Sequence, residues 1–216
     1  MSILGMRSWT MDGPYQVVGG AALPTLAYLG HISTSGGTIN IGDPSDDSLV
    51  VAVLQYNSSG VRTLNSLGIG GVSADAVAGS AASTGVYIRS RLVASGGVIA
   101  ISWSFDAAPS AHSVEVYKIN GLASTSAHDT AFTISNDPTA QLDTLAGGVL
   151  IAGVACRGAN SAFSWTGADE DIDATAGWGT GRYSAASKTN TVAAAPHSVQ
   201  ASGGTTSECI AAASWR

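Results

Sequence analysis

Short runs of β-branched and aromatic residues recur along this chain, separated by Gly, Ser, Asn and Asp. No stretch of ten or more positions keeps a 3.6-residue apolar period, so strands are expected to dominate and helix to be scarce. The clearest runs are LVVAVLQY (49–56), GVYIRSRLV (85–93), GVIAISWSF (97–105), HSVEVYKI (112–119), GGVLIAGVAC (147–156), AFSWTG (162–167), YSAASKT (183–189) and CIAAASW (209–215). Two of them, 49–56 and 147–156, are apolar on both faces, the pattern of a strand covered on both sides. Others alternate. In 97–105, Ile99, Ile101, Trp103 and Phe105 share one face and small residues the other. In 85–93, Val86, Ile88 and Leu92 point one way and Tyr87, Arg89 and Arg91 the other.

The punctuation between runs is turn chemistry. SGG (95–97) reads as a hairpin turn, with Gly supplying a positive φ. GIGGVSAD (68–75) reads as a strand with a tight turn, and DAAPSAH (106–112) and NDPTAQ (136–141) as wider turns. Strands at this spacing predict an all-β fold, an antiparallel β-sandwich that is jelly-roll-like. No internal repeat or dividing linker stands out, so residues 36–216 are expected to form a single β-sandwich domain. Residues 1–35 differ. They carry Pro14, Pro24 and several Gly pairs, and read as an ordered N-terminal arm for docking plus a first strand, LAYLGHIS (26–33).

Composition narrows the function. The chain has 216 residues, of which 11% are charged, and a net charge of −6. Phosphate binding needs clustered Lys and Arg. The nine basic residues here are scattered, so neither nucleic acid nor an anionic membrane surface is expected as a partner. No apolar run reaches the roughly 18 residues of a membrane span. The opening MSILGMRSWTMDG lacks the apolar core of a secretory leader, so general-pathway export is not expected. Cys156 and Cys209 sit in apolar runs and read as buried free thiols, with a single disulfide as the alternative.

The candidate chemistry centres on FSWTGADEDIDATAGWGTGRY (163–183). Asp169, Asp171 and Asp173 match positions one, three and five of a calcium loop. Position six is Ala174 and position twelve Thr180, where such a loop needs Gly and a bidentate Glu. The three aspartates are therefore kept only as a calcium candidate beside the reading of a solvated loop. Trp178, between glycines, would stack on a sugar or pack against a neighbouring subunit. Arg182 in the same loop, Tyr87, Arg89 and Arg91 on one strand face, and Trp9 in the arm are the other interface or ligand candidates. A glycosidase would need two carboxylates facing one cleft. The chain shows no G-x-S-x-G elbow, H-E-x-x-H pair or phosphate loop, so no catalytic residue and no cofactor is assigned.

One resemblance emerges from the order of motifs. The succession DDSLVVAVLQY, LGIGGVSA, YIRSRL, VIAISWSF, SVEVYKINGLAS, HDT, GGVLIAGVA, FSWTGADEDID and AAASWR resembles a module of tailed-phage and prophage virion structural proteins over residues 25–216. The resemblance implies a β-sandwich on the outside of a virion, as a head decoration, head fibre or tail component. It implies no catalytic residues. The expected function is accordingly non-enzymatic, with other virion proteins and copies of the same chain as partners. The alternative is an adhesin or receptor-binding module contacting a host surface glycan.

Overall fold

The computed structural model describes residues 22–33, 36–43, 47–175, 177–206 and 208–216. The expected N-terminal arm, Trp9 included, lies outside the described residues except at its end. Among the described residues there is no helix; there are seventeen strands. The first half of the chain supplies β1 (Thr25–Ile32), β2 (Gly36–Asn40), β3 (Ser48–Arg62), β4 (Leu64–Ile69), β5 (Val72–Ser73), β6 (Asp75–Gly79), β7 (Ala82–Val93), β8 (Val98–Phe105) and β9 (Ala111–Asn120). The second half supplies β10 (Asp129–Ile134), β11 (Thr139–Thr144), β12 (Val149–Cys156), β13 (Gly158–Thr166), β14 (Asp169–Ala174), β15 (Arg182–Lys188), β16 (Ala194–Thr206) and β17 (Cys209–Trp215).

These strands build four antiparallel sheets. The orders are β1-β9-β3-β7-β6 and β2-β8-β4-β5 in the first half, β10-β17-β12-β15-β14 and β11-β16-β13 in the second. The two halves follow one plan: β1–β4 correspond to β10–β13 and β6–β9 to β14–β17, with the two-residue β5 alone lacking a counterpart. Each half is a jelly roll. The repeat is plain in the strand order although the residues do not display it.

Three cores separate the four layers. Val50, Ala52, Leu54 and Val116 pack on Leu67, Ile69, Ile99 and Ile101, joining the two sheets of the first half. Leu150, Ala152, Val154 and Ile210 pack on Leu142, Phe163, Val199 and Ala201 in the second. Between the halves, Val51, Val53, Val86, Ile88 and Ile119 meet Ile151, Ala185, Ala211, Ala213 and Trp215. The sheets facing each other across this seam are the two five-stranded ones. Strands β3 and β12 lie at the centre of those inner sheets, each covered on both faces, as their unbroken apolar runs require. A two-layer sandwich contains no such strand. The expectation of both-face burial was thus already a signal for more than two layers.

Small residues set the seam's closeness. A Cβ on Gly153 would lie 2.4 Å from Val53 Cγ1. Beside it Gln55 donates from Nε2 to the Ser184 carbonyl at 2.7 Å, tying β3 to β15 across the halves. The SGG segment does turn, with Gly97 at φ 92°, but it is no hairpin: β7 and β8 belong to different sheets. Cys156 and Cys209 are free and buried. Burial pushes the Cys156 thiol up to about 11 and the Cys209 thiol higher still. Because the thiolate is the reactive form, both are expected to stay unlabelled by a thiol-disulfide reagent until the chain unfolds. Fast labelling of the native chain, followed by absorbance, would contradict this.

Candidate functional site

The acidic stretch is a strand and not the loop expected. Residues Asp169–Ala174 form edge strand β14, antiparallel to β15, with a bulge between Glu170 and Ile172. A bulge re-aims side chains along the bulged strand. Asp171 accepts a hydrogen bond from Tyr117 Oη at 2.9 Å, across the seam. Asp173 takes the Arg182 Nε donor in an ion pair and the Phe163 backbone N–H at 2.9 Å. Asp169 remains exposed. The three aspartates of the calcium candidate are therefore divided among different partners. Among the described residues no group of three or more His, Cys, Asp and Glu is placed to hold a metal. An extended backbone spreads successive carboxylates apart, where a calcium loop curls them inward.

The other candidates are also drawn inward. Trp178 is 4% exposed, its ring centroid 5.0 Å from that of Tyr183. The solvent-facing platform expected of it is instead part of the seam core. Arg182 is spent on Asp173. Tyr87 is 5% exposed, stacked on Tyr56 at 5.9 Å and 11°, with the Arg89 guanidinium 5.5 Å from its ring centroid. The alternation expected of 85–93 holds, but the face that carries Tyr87 turns toward the core between the two sheets of the first half. Tyr87, Arg89 and Arg91 consequently form no open contact patch: Tyr87 is buried, and both arginines are half-buried.

What the sequence reading missed is a polar layer inside the seam. Glu115, in the middle of β9, is fully buried. Its Oε2 accepts from Tyr28 Oη at 2.7 Å and its Oε1 from Ser113 Oγ at 2.7 Å. Tyr28 leans on Tyr117 with centroids 5.3 Å apart, and Tyr117 leads to Asp171. His31 is the β1 partner of Glu115 in the strand register. Two carboxyls, one from each half, thus sit at the ends of a tyrosine pair. Desolvation raises the Glu115 pKa, and the Ser113 and Tyr28 hydrogen bonds and nearby His31 only partly oppose it. Desolvation likewise raises Asp171, against hydrogen bonds from Ser187 and Tyr117. In HSVEVYKI, Ser113, Glu115 and Tyr117 alternate with Val114 and Val116, the same pattern a water-facing strand would show.

The pH dependence follows from the sign of these shifts. The folded chain binds protons at Glu115 and Asp171 more tightly than the unfolded chain does. Their contribution is fully present below the ordinary carboxyl range and is lost as pH rises through the raised values. The melting temperature is expected to fall between mildly acidic and mildly basic pH. Glu115→Gln, which cannot ionise, should make that fall shallower. Melting curves of both proteins at several pH values provide the check, and parallel profiles would refute the assignment.

Two of the clefts among the described residues take their lining from both halves. One, of about 300 Å³, is lined by His31, Ser33, Ser110, Ala111, His112 and Trp178, with Gly177 at its edge. The other, of about 390 Å³, gathers Asp75 with Ser90, Thr125, Ser126 and Thr130 beside apolar Leu49 and Leu92. Among the described residues the first is lined by no carboxylate and the second by Asp75 alone. Hydrolysis of a glycosidic bond by a carboxylate pair needs two in one cleft. The chain matches no protein-family model, no curated protein and no solved structure.

Proposed function

We propose that this chain is a non-enzymatic structural protein of a tailed-phage virion, carried on the capsid or tail surface. The observation that supports this most is the pairing of two jelly rolls through their inner sheets. The jelly roll is an architecture of viral capsid proteins, although a fold by itself assigns no function. The order of motifs over 25–216 points the same way. A net charge of −6 with few charges of either sign keeps such a block soluble and off packaged DNA. Its partners in this reading are other virion proteins and its own copies in a homo-oligomer.

The test is to purify tailed-phage particles from the host that carries this gene and analyse them by mass spectrometry. The chain should copurify with the major capsid protein through a density gradient, at a fixed ratio to it. Recovery only from the soluble fraction would overturn the reading. Locating the chain in images of the particle would then distinguish head from tail.

A further inference from the structure

We infer that the end of the molecule around Leu23 is the docking surface for residues 1–21 of the same chain. A groove of about 270 Å³ opens there, lined by Ala22, Leu23, Pro24, Leu122, Ala123 and Arg216. Large apolar side chains stand exposed around it: Leu23 at 53%, Leu145 at 36% and Val192 at 68%. They form one surface. Leu23 rests on the turn between β11 and β12, where a Cβ on Gly147 would meet its Cδ2 at 2.6 Å. From that turn Gly147 N–H donates to the Thr191 carbonyl at 2.8 Å, and Thr191 Oγ1 donates to the Leu145 carbonyl at 2.6 Å. Val192 is next in the chain, its carbonyl held by Thr144 Oγ1 at 2.8 Å. Single exposed apolar residues are ordinary, whereas a contiguous group of them marks an interaction surface.

The course of the chain selects the occupant. The described residues begin at Ala22, itself part of the groove, and residues 1–21 precede it. That segment carries one Arg and one Asp, with Ile3, Leu4, Trp9, Val17 and Val18 among its apolar residues. Such a sequence gains free energy by covering apolar surface. Gly19 and Gly20, next to the entry point, permit the chain to reverse over the groove. A short tether keeps its residues near the surface at a millimolar effective concentration. In about 10 µM protein the segment of the same chain therefore outcompetes that of a second copy roughly a hundredfold. This inference rests on the end surface and not on the particle role, so either can fail without the other.

The experiment uses the full chain with the photo-crosslinking residue benzoylphenylalanine in place of Val192, whose exposure leaves the core untouched. An equal mixture of unlabelled and ¹⁵N-labelled chains, at about 10 µM in total, is irradiated, and the joined peptides are identified by mass spectrometry. Cross-links from position 192 to peptides within 1–21 are expected, with both peptides carrying the same isotope. The same probe at Val61, 63% exposed, is the control. The strand register sets Leu49 level with Leu26, and Val61 lies about 40 Å further along β3. Few or no cross-links to 1–21 are expected from there. Leu23→Asp and Leu145→Asp together, both at exposed positions, remove two apolar contacts, worth roughly a hundredfold in the docking equilibrium. They should abolish most of the cross-link from position 192. The inference is overturned if position 192 gives no cross-link to 1–21, if Val61 gives as many, or if the double variant leaves the yield unchanged. Joined peptides of mixed isotope would overturn the same-chain assignment.

Discussion

Trp178→Ala is expected to lower the unfolding free energy by about 3–5 kcal/mol, the usual cost of removing a buried aromatic side chain. The ring is a member of the seam core and packs on Tyr183 at 5.0 Å. Its backbone also closes the surrounding turn: Trp178 N–H donates to the Thr175 carbonyl at 3.0 Å, and Gly181 N–H to the Trp178 carbonyl at 2.8 Å. Those backbone bonds survive the substitution, whereas the cavity left by the indole cannot collapse between two sheets. For a chain of this size the loss corresponds to roughly 10 °C in melting temperature. Guanidinium unfolding measures it directly. A loss under about 1 kcal/mol, typical of surface substitutions, would mean that the ring faces water.

Gly153→Ala is the second large effect, and it tests the packing of the halves. An added Cβ would lie 2.4 Å from Val53 Cγ1 and 3.3 Å from both Gln55 Nε2 and Val86 Cγ1. All three neighbours belong to the facing sheet, and Val53 and Val86 are fully buried. To make room the inner sheets must part, which strains the Gln55 bond to the Ser184 carbonyl. The expected cost is about 2–3 kcal/mol, the range of core overpacking. Val53→Ala in the same chain removes the obstructing methyls. The double variant should therefore lose less than the sum of the two single losses. Simple additivity in denaturant unfolding would show that Gly153 and Val53 do not touch.

Much of the strand content was legible because its signal is local. All eight clear runs lie in strands, and the face assigned to Ile99, Ile101 and Trp103 is the buried one. GIGGVSAD is a strand and tight turn, with Gly70 and Gly71 at φ 63° and 79°. Weaker segments were harder. Asp169–Ala174 is rich in carboxylates, which strands avoid, and only pairing with β15 makes it one. Glu115 was hidden because alternation reveals two faces without saying what covers them.

The sequence by itself determined that this chain is all-β, where its main strands run, and that 49–56 and 147–156 must be covered on both faces. These follow from the two-residue period of side-chain direction and from turn residues that act over a few positions. Only the tertiary structure decided that two jelly rolls share one plan and meet through their inner sheets. It alone buried Trp178 and Tyr87, divided Asp171 from Asp173, and enclosed Glu115 with Tyr28. Each of those outcomes depends on a partner far away in the chain, and a polar residue on an alternating strand reads the same whether water or another sheet lies opposite.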